Sequence, residues 1–90
     1  MALMAVKIKI MPESPESDLK KIEEDAKQVL EKTGAKIHSI EIEPIAFGLK
    51  AVIIIFGWPE EKGLDLLEDE LSAVEQVSST EVLEMRRALG

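Results

Sequence analysis

One histidine, no cysteine and no tyrosine leave this 90-residue chain short of the groups that do covalent or acid–base work. His38 stands beside Ser39 in an alternating strand pattern, with no third residue spaced to orient it as a triad base. A lone strand histidine of this kind reads as a structural or surface residue. Zero cysteines exclude disulfides, Cys-ligated zinc, iron–sulfur clusters and thiol catalysis. Two acidic runs, Glu23-Glu24-Asp25 and Glu68-Asp69-Glu70, lack the Asp/Asn/Gly spacing of a calcium loop and read as solvated helix faces. Gly48, Gly57 and Gly63 match neither the Walker nor the Rossmann spacing. Acylphosphatase chemistry needs an arginine after the first strand to cradle phosphate, and Met11-Pro12-Glu13-Ser14-Pro15 offers an acid there. No catalytic residue, metal or cofactor is expected.

What remains is a set of binding residues. Phe47-Gly48 puts an aromatic where a hairpin turn ordinarily carries polar residues. Its ring either projects into solvent or folds back over the edge of the core. Arg86-Arg87 gathers two of the eleven Lys plus Arg near the C-terminus of a chain with eighteen Asp plus Glu and a net charge of −7. Exposed aromatics and arginines are the types enriched at interface hot spots. The acidic balance disfavours direct contact with a phosphate backbone. Aromatic content of 3% is too low for a base-stacking platform.

The elements that position these residues follow from periodicity. Val6, Ile8 and Ile10 alternate with Lys7 and Lys9 as a half-buried strand. Pro12 and Pro15 stop it, and Ser14 or Ser17 is expected to cap the helix that follows. From Asp18 to Thr33, Leu19, Ile22, Ala26, Val29 and Leu30 form one helical stripe, closed by Gly34 in the left-handed cap position. Ile37 to Ile45 reads as a second strand and Leu49 to Phe56 as a central one, with a turn or bulge at Phe47-Gly48. Trp58 to Gly63 reads as a polar turn, Leu64, Leu67, Leu71 and Val74 as a second helix, and Val77 to Leu89 as a last strand. The order is β-α-β-β-α-β. Right-handed crossovers then favour a ferredoxin-like α+β sandwich, a four-stranded antiparallel sheet with both helices on one face. A single domain is expected over residues 1–90, since a chain this short builds only one core. The apolar start from Met1 to Val6 is interrupted by Lys7 and Lys9, too soon for a signal core or a membrane span. A cytoplasmic protein without membrane contact is expected.

The segment Pro44-Ile45-Ala46-Phe47-Gly48-Leu49-Lys50-Ala51 before an isoleucine-rich strand, with Val6-Lys7-Ile8-Lys9-Ile10-Met11-Pro12, Ser79-Thr80-Glu81-Val82 and the basic pair, resembles the elongation factor 1-beta family in its short archaeal form. The resemblance covers essentially the whole chain. It implies a guanine nucleotide exchange factor for elongation factor 1-alpha, the GTPase that delivers aminoacyl-tRNA, and a ferredoxin-like domain that is the exchange module itself. The family's turn phenylalanine, which contacts the GTPase, falls on Phe47, beside Gly48. Its C-terminal basic residue, which reaches toward the magnesium and phosphate site, falls on Arg87, with Arg86 a competing candidate. In eukaryotic relatives that residue is a lysine. No cofactor is implied, and the free protein is expected to be a monomer. The alternative on the same fold is a small-molecule-sensing regulatory domain that dimerises through an edge strand.

Overall fold

A computed structural model describes residues 3–87. β1 (Leu3–Pro12), α1 (Leu19–Lys32), β2 (Lys36–Pro44), β3 (Lys50–Pro59), α2 (Asp65–Ser72) and β4 (Val77–Arg87) follow in the expected order. The strands form one antiparallel sheet in the order β2-β3-β1-β4, with both helices on one face. This is the ferredoxin-like sandwich.

The core lies where the two periodicities meet. Val6, Ile8 and Ile10 of β1, and Val52, Ile54, Phe56 and Trp58 of β3, point toward the helices. Ile22, Ala26 and Leu30 of α1, and Leu67 and Leu71 of α2, close over them. The i, i+4 spacing of the α1 residues puts all three on one line of the helix. On the opposite face of the sheet Ile53 is also buried, set in register between Lys9 of β1 and Glu41 of β2, so β3 is central as its apolar run requires.

The helix ends show one expectation met and one corrected. Gly34 adopts φ +94°. The Ala35 amide donates to the Leu30 carbonyl (2.9 Å) and the Gly34 amide to Glu31 (3.2 Å), the paired bonds of a Schellman cap. At the start of α1 the cap is Asp18, whose carboxylate accepts from the Lys21 amide at 3.2 Å. Neither serine caps, because both are used up in the preceding loop. Ser17 Oγ accepts from the Ser14 amide and Ser14 Oγ from the Glu16 amide.

A second correction concerns β3, which runs on through Pro59. Trp58 is therefore a strand residue and not part of a polar turn. Alternation carries its ring onto the core face, edge-on to Phe56 with centroids 6.1 Å apart, and Nε1 donates to the Lys62 carbonyl at 3.1 Å. A proline at a strand end costs no ladder bond that matters. α2 itself is the eight residues Asp65–Ser72, with Leu64 and Val74 packed against the core just beyond its ends. The last strand was expected to reach Leu89; Ala88 and Leu89 lie outside the described residues. Among the described residues no helix is long and apolar enough to cross a membrane.

Candidate functional site

Phe47 sits at the tip of the β2–β3 hairpin. The Leu49 amide donates to the Ala46 carbonyl (3.1 Å) and the Ile45 amide to the Leu49 carbonyl (2.7 Å), closing a tight turn. Its two central residues both have positive φ, +60° at Phe47 and +77° at Gly48, the pattern of a type I′ turn. Such a turn suits the right-handed twist of the flanking strands and strongly prefers Asn, Asp or Gly at its first central position. A phenylalanine there is strained, because its Cβ crowds its own backbone in the left-handed region. The ring of Phe47 is 94% exposed. Phe47 does not fold back over the core.

The loops beside this hairpin are pinned. Gln76, the other non-glycine residue of positive φ among those described (+73°), accepts from the Glu13 amide at its carbonyl (2.9 Å) and from the Asp18 amide at Oε1 (3.0 Å). Lys21 of α1 bonds Glu75 at 3.0 Å, and the Glu75 carboxylate raises the Lys21 pKa, first by hydrogen bonding and then by charge. Pro15, in the β1–α1 loop so held, approaches the β2–β3 turn at Gly48.

The two arginines stand at the opposite end of the sheet, on opposite faces. Arg86 is in register with Ala5 and pairs with Glu84 of its own strand at 3.7 Å, on the face without helices. Arg87 is in register with Met4, which packs against the core, and its Nη2 donates to Glu60 Oε1 in the turn after β3. The side chains of Arg86 and Arg87 are 76% and 71% exposed. Strand alternation alone separates them, since successive side chains leave the sheet in opposite directions. A cavity of about 430 Å³ opens at this same end, lined by Trp58, Lys62, Leu66 and Leu67 among others.

Phe47 with Gly48, and Arg86 with Arg87, are thus two separate groups. β3 lies between them, and its ten residues at about 3.3 Å each span about 30 Å. Glu60 is the residue that sequence reasoning missed. It lies 27 positions from Arg87, and only the intervening β1 brings the two together. His38 is exposed at an irregularity in the β2–β3 register. Among the described residues no three His, Cys, Asp or Glu side chains converge as a metal site. The arrangement suits binding of a partner at two points.

Comparison with known proteins bears on that partner. Residues 5–88 match the model of the EF-1 guanine nucleotide exchange domain. The chain is 40% identical over 86 residues to elongation factor 1-beta of Methanococcus maripaludis, covering 94% of this chain and 97% of that protein. It is 40% identical over 89 residues to elongation factor 1-beta of Methanocaldococcus jannaschii, covering 98% and 100%. A similar solved structure is the ACT domain from GTP pyrophosphokinase of Chlorobium tepidum, with a TM-score of 0.64, 20% identity and coverage of 88% of this chain and 96% of that one. At that identity the likeness is one of fold.

Proposed function

This chain belongs to the EF-1 guanine nucleotide exchange domain family, and from that premise we propose that it opens the nucleotide site of elongation factor 1-alpha by touching it at both ends of one sheet, with Phe47 at one end and Arg87 at the other. The protein is a guanine nucleotide exchange factor of translation elongation, and its partner is a GTPase. The finer reading is that exchange regenerates the GTP form that carries aminoacyl-tRNA, in the cytoplasm, by a monomer in which residues 1–90 form one exchange domain.

The work is done by binding, with no covalent step. A GTPase holds GDP through phosphate contacts and through Mg²⁺, which neutralises phosphate charge. A guanidinium brought beside that metal repels it and competes for its ligands, so nucleotide leaves faster. An aromatic ring wedged against the GTPase favours an open conformation only if the exchange factor binds that state more tightly than the nucleotide-bound one. Reciprocity then requires nucleotide to weaken the exchange factor's own grip, so the complex dissolves when GTP enters. Arg87 is preferred over Arg86 because it stands beyond the end of β3 on a carboxylate of another element, whereas Arg86 is folded along its own strand.

The observation that carries this reading is Phe47, 94% exposed on a backbone at φ +60°. A fold accepts a strained, water-facing aromatic when something other than stability selects it. The test is release of fluorescent GDP from archaeal elongation factor 1-alpha into excess unlabelled nucleotide. Acceleration of about tenfold or more, equivalent to about 1.4 kcal/mol off the barrier, is expected; no acceleration by folded protein with an active GTPase rejects the reading.

A further inference from the structure

We infer that Glu60 restrains Arg87, pairing with its guanidinium at the tip of the sheet until the GTPase displaces it. The inference rests on the reading of Arg87 given above.

The two partners differ in how firmly they are mounted. Glu60 follows β3 in a turn closed from several sides. The Lys62 amide donates to the Pro59 carbonyl (3.1 Å), Trp58 Nε1 donates to the Lys62 carbonyl (3.1 Å), and Lys62 Nζ donates to the Thr33 carbonyl at the end of α1 (2.8 Å). That same ammonium lies 5.3 Å from the centre of the Trp58 ring, within cation–π range. The Glu60 side chain is only 32% exposed. Arg87, by contrast, is a long flexible side chain on an edge strand.

Their contact crosses the sheet. Arg87 is in register with Met4, and Met4 with Trp58, so the ion pair passes over β1 from the end of β4 to the turn beyond β3. It fixes where the cation stands before any partner arrives. It also silences it, because a guanidinium beside a carboxylate forms a neutral pair whose field falls off faster than that of a lone charge. To act on a bound Mg²⁺, Arg87 must leave Glu60. Exposed ion pairs are weak enough for phosphate or carboxylate oxygens at the metal site to displace them.

Glu60→Gln removes the competing charge. The experiment titrates wild type, E60Q, E61Q, R87A and the E60Q/R87A double variant against elongation factor 1-alpha loaded with fluorescent GDP, reading half-saturating concentration and plateau rate separately. Glu61, the exposed neighbour, controls for a general change of charge. E60Q is expected to lower the half-saturating concentration about three- to fivefold, the upper part of the range an exposed ion pair allows, with the plateau unchanged. E61Q shifts it less than half as much, and E60Q has no effect once Arg87 is alanine. An E60Q effect that is absent, reversed, equal to that of E61Q or preserved in R87A overturns the inference. If R87A slows exchange while E60Q is silent, only the role of Glu60 falls; if R87A exchanges like wild type, the assignment of Arg87 falls with it.

Discussion

Phe47 and Arg87 stand about 30 Å apart, at opposite ends of the sheet, separated by the ten residues of β3. The Cα trace extends over 41 × 21 × 18 Å, so this separation is most of its long axis. A GTPase that meets both residues is bridged along the length of the exchange factor, and must therefore present its metal site and a second surface at that spacing.

That separation predicts additivity. Phe47→Ala and Arg87→Ala are each expected to lower exchange efficiency about tenfold or more, as hot-spot truncations do, without loss of fold. The two sites share no partner within the protein, so the logarithms of the two effects should sum to that of the double variant within about 0.5 kcal/mol. Stopped-flow release of fluorescent GDP measures all three. Strong non-additivity would mean that one end acts through the other, and two silent single variants would remove both residues from the interface.

The β2–β3 turn predicts a trade between stability and function. Glycine at position 47 relieves the left-handed strain, worth roughly 1–2 kcal/mol, but adds freedom to the unfolded chain worth about 0.5–1 kcal/mol. Phe47→Gly should therefore unfold at an equal or slightly higher urea midpoint while exchange collapses. Gly48→Ala should do the reverse to stability. Its new Cβ would meet Pro15 Cβ at an ordinary 3.8 Å, so crowding is not the problem; φ +77° is, at a cost of about 1–2 kcal/mol. A Phe47→Gly variant destabilised by several kcal/mol would show that the ring packs on the fold in solution.

These residues also mark where the sequence was readable. The stripe of Ile22, Ala26 and Leu30, the alternation of Val6, Ile8 and Ile10, and Gly34 after the helix are local patterns, and each specified its element. Phe47-Gly48 was legible as a turn but not as a turn of positive φ at both centres, and the sequence left open whether the ring faces water. Trp58 reads as a turn residue in the sequence because the adjoining Pro59 looks like a stop, although an end-of-strand proline leaves alternation intact. The pairing of Glu60 with Arg87 was beyond reach, since it depends on the register of β1 with both neighbouring strands. Asp18 displaced the serines as helix cap through hydrogen bonds that the serines make with each other's segment, a competition no single-residue preference reveals.

Neighbouring leucines on α2 give a sharp test of the register. Leu67 is 1% exposed against the sheet and Leu66 is 78% exposed. Leu67→Ala opens a core cavity and should cost about 2–5 kcal/mol, as should Ile54→Ala on β3. Leu66→Ala should stay within about 0.5 kcal/mol of wild type. Urea denaturation at fixed pH separates the two cases, and similar losses at 66 and 67 would mean that the helix is rotated from the position described.

The Lys21–Glu75 pair predicts an alkaline signature at the Phe47 end. Glu75 raises the Lys21 pKa above its ordinary 10.5 by hydrogen bond and charge, Asp25 and Asp18 add to this, and desolvation opposes it. Because the folded-state value is the higher one, the folded chain holds this proton more tightly than the unfolded chain does. The pair's contribution is therefore complete below 10.5 and is lost as pH rises through the raised value. Lys21→Met and Glu75→Gln should each lower the urea midpoint slightly at pH 7. A double-mutant cycle should show coupling at pH 7 that fades above the raised value and weakens with salt, as expected for an exposed pair. Coupling between Lys21 and Glu75 that persists at high pH would mean that the pair is not held by the charge on Lys21, whereas the bonds from the Glu13 and Asp18 amides to Gln76 do not depend on that charge and cancel from the cycle.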